Sequence, residues 1–273
     1  MRGKVLGAAA LGVALWLAAG PRADGRQVRA EPVAVPAPAA EASPAAASTD
    51  PGAGLPGTDP SEETVPRRAR VDCAKARCVA LTFDDGPGSG TLRLLRMLDE
   101  AHVRVTFFVV GPRARAAPGT VARAHAAGHE IGDHTERHAL LTRLPSWRVR
   151  QEIDGTRRTI RRLTGSSPVL LRPPYGATDR RVTAEARRLG LAQILWDVDT
   201  RDWADRDSSI VARRAIKGLH RGAIILMHDI HPTTVAAVPR ILRAAKAGGY
   251  TLVTVSELLG TPRPGKVYTS AVR

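Results

Sequence analysis

Leu81-Thr82-Phe83-Asp84-Asp85-Gly86-Pro87 is the stretch on which the reading of this chain turns. An apolar run over residues 79–83 ends abruptly in two adjacent carboxylates, and a Gly-Pro pair then turns the chain away. A buried strand does not normally end like this. Successive side chains on a strand point to opposite faces, so two neighbouring acids take different jobs only where the strand opens at the mouth of a sheet or barrel. One acid can then hold a metal while the other accepts a proton. Alone, Asp-Asp-Gly-Pro equally suits an ordinary turn, so partners elsewhere in the chain must decide.

Working outward, short β-like runs alternate with helical patterns. The run at 79–83 precedes a helix over 89–101, with Leu92, Leu95 and Leu98 on one face and Ser89 or Thr91 as its cap. Strands follow at 105–110 and 129–131 around a short helix at 120–127, and then a longer helix at 146–163 ends at Gly165. A strand at 169–171 runs into Arg172-Pro173-Pro174-Tyr175-Gly176, where consecutive prolines exclude both helix and ladder. Asp179 caps a helix to Leu189. Strands at 191–196, 222–227 and 251–255 are separated by helices at 208–217 and 233–246. Seven β/α repeats predict an α/β fold with a parallel sheet and helices outside it, open or closed as a barrel. A barrel is favoured because Asp84-Asp85, Asp133-His134, Arg172, Asp199 to Asp202 and His228-Asp229 all follow the C-terminal end of a predicted strand and would meet at one mouth.

Composition divides the chain into residues 1–24, 25–70, 71–262 and a C-terminal tail at 263–273. Arg2 and Lys4 precede an uncharged Ala- and Leu-rich run and then Ala18-Ala19-Gly20, which reads as an export signal. A run of about 15 apolar residues is short for a spanning helix of roughly 20, so a cleaved signal is favoured over a retained anchor, and a membrane partner follows only if the segment is retained. Residues 25–70, rich in Ala, Pro, Gly, Ser and Thr, read as a disordered linker that cannot bury a core. Cys73 and Cys78 enclose four residues, a weak metal spacing; in an exported chain they read as a small disulfide loop, worth roughly 2 kcal/mol at best. Residues 1–66 hold 5 Lys/Arg against 7 Asp/Glu, leaving 36 against 19 in the remainder. Outside the cell such a basic domain suits anionic wall polymers rather than nucleic acid, although its arginines are scattered over several helices and also suit a plain solvated surface.

His134-Thr135-Glu136-Arg137-His138 places two imidazoles four apart, on one face if the segment is a helix or a tight turn. With Asp85 they make a two-His, one-carboxylate set, which leaves coordination positions open for water and substrate. His125 and His129 repeat the spacing and receive no role.

Taken in order, Thr82-Phe83-Asp84-Asp85-Gly86, His134-Thr135-x-x-His138, Arg172-Pro173-Pro174-Tyr175-Gly176, Asp199-x-x-Asp202-Trp203 and Leu226-Met227-His228-Asp229 resemble the five motifs of the polysaccharide deacetylases with a NodB-like domain, carbohydrate esterase family four. The resemblance covers residues 79–260. It implies a deformed (β/α)7 barrel, preceded by the signal segment and linker, that hydrolyses acetyl groups on a glycan with a divalent metal, zinc above all and cobalt as an alternative. Carried over residue by residue, Asp85, His134 and His138 would be the metal ligands and Asp84 the general base. His228 would be the general acid that protonates the departing amine, paired with Asp202 or with Asp199. Arg172 would hold Asp84, the Tyr175 backbone N–H would face the oxyanion, and Trp203 and Leu226 would wall the acetyl pocket. Each also has a plain structural reading: Trp203 and Leu226 as core, Arg172 as an ordinary ion pair, Asp202 as a helix cap. The implied substrate is N-acetylglucosamine of peptidoglycan. Chitin oligomers or acetylxylan are the alternatives within the enzyme class, and a non-catalytic wall-binding module is the alternative outside it. Asp133, Asp197, Asp229 and His231 lie beside the motifs without assignment.

Overall fold

The computed structural model describes residues 71–271; the expected signal segment and linker lie outside them. Along the chain these residues form β1 (Arg77–Asp84), α1 (Thr91–Glu100), β2 (Thr106–Val109), α2 (Gly111–Ala116), α3 (Pro118–Ala126), β3 (Glu130–Asp133), α4 (Ser146–Thr164) and β4 (Leu170–Leu171). Then come α5 (Arg180–Arg188), β5 (Ala192–Ile194), β6 (Val198–Asp199), α6 (Asp202–Asp205), α7 (Ser208–Lys217), β7 (Ile224–His228), α8 (Pro232–Ala247), β8 (Tyr250–Leu252), α9 (Val255–Leu259) and β9 (Val267–Tyr268).

All the strand pairs are parallel, in the order β6-β7-β1-β2-β3-β4-β5-β9, with β8 joining the start of β1. The sheet curls into a half-barrel. Seven strands were expected; the short β6 and β9 are additional. β9 comes from the segment read as a tail and pairs with β5 through Gln193 and Ile194.

β1 explains why the fold takes this form. Every residue after Arg77 is buried or nearly so, which suits a central strand covered on both faces. Its residues alternate between two cores. Val79, Leu81 and Phe83 pack under the helices, while Cys78 and Ala80 join Phe108, Leu170 and Ile194 inside the curl. Continuing upward, the inner face carries Thr82 and then Asp84, so it changes from apolar to polar as it nears the mouth. Thr82 lies opposite Leu226 and Asp84 opposite His228, which sets the ends of β1 and β7 side by side.

The expected face of α1 holds at Leu95 and Leu98 but not at Leu92. Leu94, Leu95 and Leu98 are buried, whereas Leu92 is exposed. Neither Ser89 nor Thr91 caps this helix: Gly90 occupies the N-cap, and the Thr91 hydroxyl turns instead to Asp229. Asp179 does cap α5, accepting from the N–H groups of Arg181 and Val182 at 2.8 and 2.9 Å. Cys73 and Cys78 are joined in a disulfide at the entrance to β1.

Candidate active site

Asp84 is the last residue of β1 and is buried; Asp85 follows at φ +69°, outside the strand. Simple alternation would have sent these two side chains to opposite faces. The left-handed turn at Asp85 brings both toward His134 instead, with Asp84 Oδ2 3.6 Å and Asp85 Oδ1 3.5 Å from His134 Nε2. Gly86 permits the turn because a Cβ there would lie 2.3 Å from Asp229 Oδ1. The segment from His134 to His138 is not helical. Thr135 and His138 take φ of +67° and +55°, and this reversal sets the two imidazoles edge to face with centroids 4.8 Å apart. Left-handed non-glycine residues cost about 1–2 kcal/mol each, and four of them, Asp85, Thr135, His138 and Tyr175, surround one spot. Backbone strain concentrated in this way is a signature of functional geometry.

Asp85 Oδ1, His134 Nε2 and His138 Nε2 form a group whose donor atoms all lie within 4.8 Å of one another. The carboxylate oxygen is 3.5 Å from one imidazole nitrogen and 3.3 Å from the other. Ligands at ~2.0–2.1 Å in a tetrahedral shell are separated by ~3.3 Å, so these residues fit a small divalent cation. The second nitrogen of His134 supports the fit. Nδ1 lies 2.7 Å from the Arg172 carbonyl, an acceptor, so it carries the proton and leaves the Nε2 lone pair free. Burial keeps this imidazole neutral, its pKa lowered to about 3.

Arg172 fills the curl beneath the site and is fully buried. Nη1 donates to Asp84 Oδ1 at 2.8 Å and to Thr82 Oγ1 at 2.7 Å, Nε donates to Ile194 O and Nη2 to Leu195 O, and the guanidinium lies 4.2 Å over the Phe108 ring. A buried charge is tolerated only when satisfied like this. Burial raises the Asp84 pKa, and Arg172 opposes that rise without cancelling it.

Across the mouth, His228 Nδ1 lies 2.8 Å from Asp202 Oδ1. Asp202 Oδ2 accepts the His228 backbone N–H at 2.7 Å and the Thr234 hydroxyl at 2.6 Å. Burial works against a charged His228, but the hydrogen bond and charge of Asp202, together with Asp84 and Asp85, outweigh it and raise the pKa to about 9. Burial likewise works against the Asp202 carboxylate, and its bonds to His228 and Thr234 prevail, leaving its pKa lowered. The partner of His228 is therefore Asp202. Asp199 accepts from the Arg201 N–H at 2.7 Å.

Leu226, two residues before His228 on β7, is buried, while Trp203 beside Asp202 and Tyr175 beside His138 stand exposed at the rim. Asp133 is buried and accepts the Thr135 N–H at 2.8 Å, which helps set the reversed loop. Asp197 pairs with His220 at 3.1 Å, and His231 Nδ1 meets an Arg206 Nη. Thr82 stood in a motif without a role of its own, and Thr234 had no place in the sequence reading. A lone hydroxyl in an apolar strand was the available signal for Thr82; Thr234 had none, since only folding brings α8 to Asp202.

Residues 72–194 match a family model described as polysaccharide deacetylase. A solved T48 deacetylase with substrate is 44% identical, and the match has a TM-score of 0.70 and covers 72% of this chain and 99% of that one. The chain belongs to the polysaccharide deacetylase family. Within the family, the peptidoglycan-N-acetylglucosamine deacetylase PgdA of Listeria monocytogenes is 41% identical over 202 residues, 74% of this chain and 42% of that protein. The peptidoglycan-N-acetylmuramic acid deacetylase PdaC of Bacillus subtilis is 37% identical over 200 residues, 73% and 41% of the two chains. The chain thus spans about two fifths of the length of those two curated relatives.

Proposed function

We propose that this chain is a metal-dependent hydrolase that removes N-acetyl groups from N-acetylglucosamine residues of a cell-wall glycan, peptidoglycan in particular, and releases acetate. The observation that carries the reading is the three-donor cluster of Asp85, His134 and His138, with Asp84 at one side and the His228–Asp202 pair within reach of the same acids.

Asp85, His134 and His138 would hold a divalent cation, which when bound would supply Lewis acidity to a water and to an acetamide oxygen. Asp84 accepts the proton of the attacking water. Arg172 fixes its orientation, and burial brings its pKa up toward the working range of a general base. His228 carries the proton that the departing amine needs, since an amide anion leaves poorly. Asp202 holds that imidazole by Nδ1, so Nε2 is the atom that donates. The backbone N–H of Tyr175 faces the developing oxyanion, and Leu226 and Trp203 border the acetyl methyl. Export to the wall would follow from the N-terminal segment, and N-terminal sequencing of protein recovered outside the cell tests that.

The test of function is acetate release from peptidoglycan, chitin oligomers and acetylxylan side by side, after chelation and after zinc or cobalt is restored. Release from peptidoglycan only with metal supports the reading; release from none of the three ends it.

A further inference from the structure

A groove of about 430 Å³ adjoins the site, lined by Asp85 and His138, two of the three donors, and by Glu136, Arg113 and Arg137. Its charges are unevenly committed. Asp85 belongs to the donor cluster, and Glu136 is held by both terminal nitrogens of Arg115, with Thr156 3.4 Å from one of its oxygens. Arg113 is exposed, and among the described residues no carboxylate lies within ion-pairing distance of it. The Arg137 side chain is 71% exposed, and its carboxylate contact is Glu152 at 3.7 Å, too long for a hydrogen bond. Arg113 is therefore without an ion-pair partner among the described residues, and Arg137 keeps only one long ion pair, both lining the groove beside two of the three donors.

Guanidinium groups recognise carboxylates through paired N–H donors, and a neutral acetylated glycan offers them no anion. We propose that Arg113 and Arg137 form an anion subsite that selects glycans bearing a carboxylate on a sugar neighbouring the one deacetylated. This rests on the deacetylase reading and narrows its substrate class. In a wall glycan that carboxylate comes either from a lactyl ether on the adjacent sugar or from a peptide attached to it; both present the same chemistry to the groove.

The experiment compares four soluble substrates on the metal-loaded protein: neutral chitin oligomers, wall-glycan fragments with free lactyl carboxylates, the same fragments amidated, and fragments carrying peptide stems. The kcat/KM should be higher on carboxylate-bearing fragments than on amidated ones, mainly through KM, and the preference should weaken as salt is added. In the Arg113→Gln/Arg137→Gln double variant the ratio of charged to amidated kcat/KM should fall about tenfold, with a matching loss in calorimetric binding of the deacetylated charged fragment. Preference with bare lactyl sugars assigns the anion to the sugar, and preference only with stems attached assigns it to the peptide. Equal kcat/KM on charged and amidated fragments in the unaltered protein, or an unchanged ratio in the double variant, overturns the subsite. No acetate from any of the four overturns the deacetylase reading instead.

Discussion

Asp202 holds His228 at two points, taking the imidazole Nδ1 at 2.8 Å on one oxygen and the backbone N–H of the same residue at 2.7 Å on the other. One carboxylate thereby sets the position, the tautomer and the charge of the imidazole. Further bonds, from Thr234 on α8 and from the Trp203 N–H, stop the carboxylate from rotating.

From this clamp follows a pH dependence. His228 at about 9 is protonated at neutral pH, so activity that needs its proton should decline as pH rises through about 9. Asp202→Asn removes the charge that raises it. The basic limb of the kcat/KM profile should then move down by about one unit or more, toward the ordinary histidine value. An unmoved limb would assign it to another group. The linkage has the same sign for stability: a raised histidine pKa stabilises the fold below the unfolded value of 6.5, and that contribution is lost as pH rises through about 9.

Removing the donor set should uncouple metal from fold. Chelation should abolish turnover, and zinc or cobalt should restore it. His134→Ala should lose both bound metal and activity while keeping the sheet, because the residue belongs to none of the apolar core clusters. Elemental analysis beside acetate release checks this; full activity in a metal-free sample would refute it.

Asp84→Asn retains the shape beside Arg172 but removes the carboxylate proposed as the base. Metal should still bind, and turnover should fall about 100-fold or more, as expected when a general base is lost. Near-normal turnover with metal bound would reassign the base.

Arg172→Leu tests the buried pair from the other side. It leaves Asp84 buried without its partner, and the loss should be about 3–5 kcal/mol in urea denaturation. Adding Asp84→Asn should recover part of that loss, since the neutral amide no longer needs the guanidinium. Strict additivity of the two substitutions would mean that the pair is not coupled.

His228→Ala should harm N-acetyl substrates more than acetate esters with good leaving groups, which depend less on protonation of the leaving atom. Parallel turnover assays on an acetylated glucosamine oligomer and an activated acetate ester separate the two. Equal losses would remove His228 from the role of acid.

Much of this architecture is legible in the sequence because its signals are local. Hydrophobic runs, prolines at Pro173 and Pro174 and carboxylates at strand ends report on a few consecutive residues, and they predicted the order of β and α elements and the shared mouth. Even locally, phase errors occur. Leu92 matched the helical spacing but faces water, because the packing of α1 on α8 and α3, not periodicity alone, chose Leu94.

What only the tertiary structure decided depends on backbone reversals and on residues far apart in the chain. Alternation along β1 predicted divergent acids, yet φ of +69° at Asp85 turns both toward His134. The spacing of His134 and His138 allowed helix or turn, and left-handed Thr135 and His138 made it a turn. Asp202 was the expected partner of His228 with Asp199 as the alternative, and folding decided for Asp202 by placing α6 against β7 and Thr234 of α8 against the same carboxylate. The pairing of β9 with β5 joins residues about 75 apart in the chain and carries no motif of its own. Sequence alone thus determined which chemical groups reach the mouth, since strand ends are locally encoded; their distances and charge states arose from burial and from contacts between distant segments, which no local pattern contains.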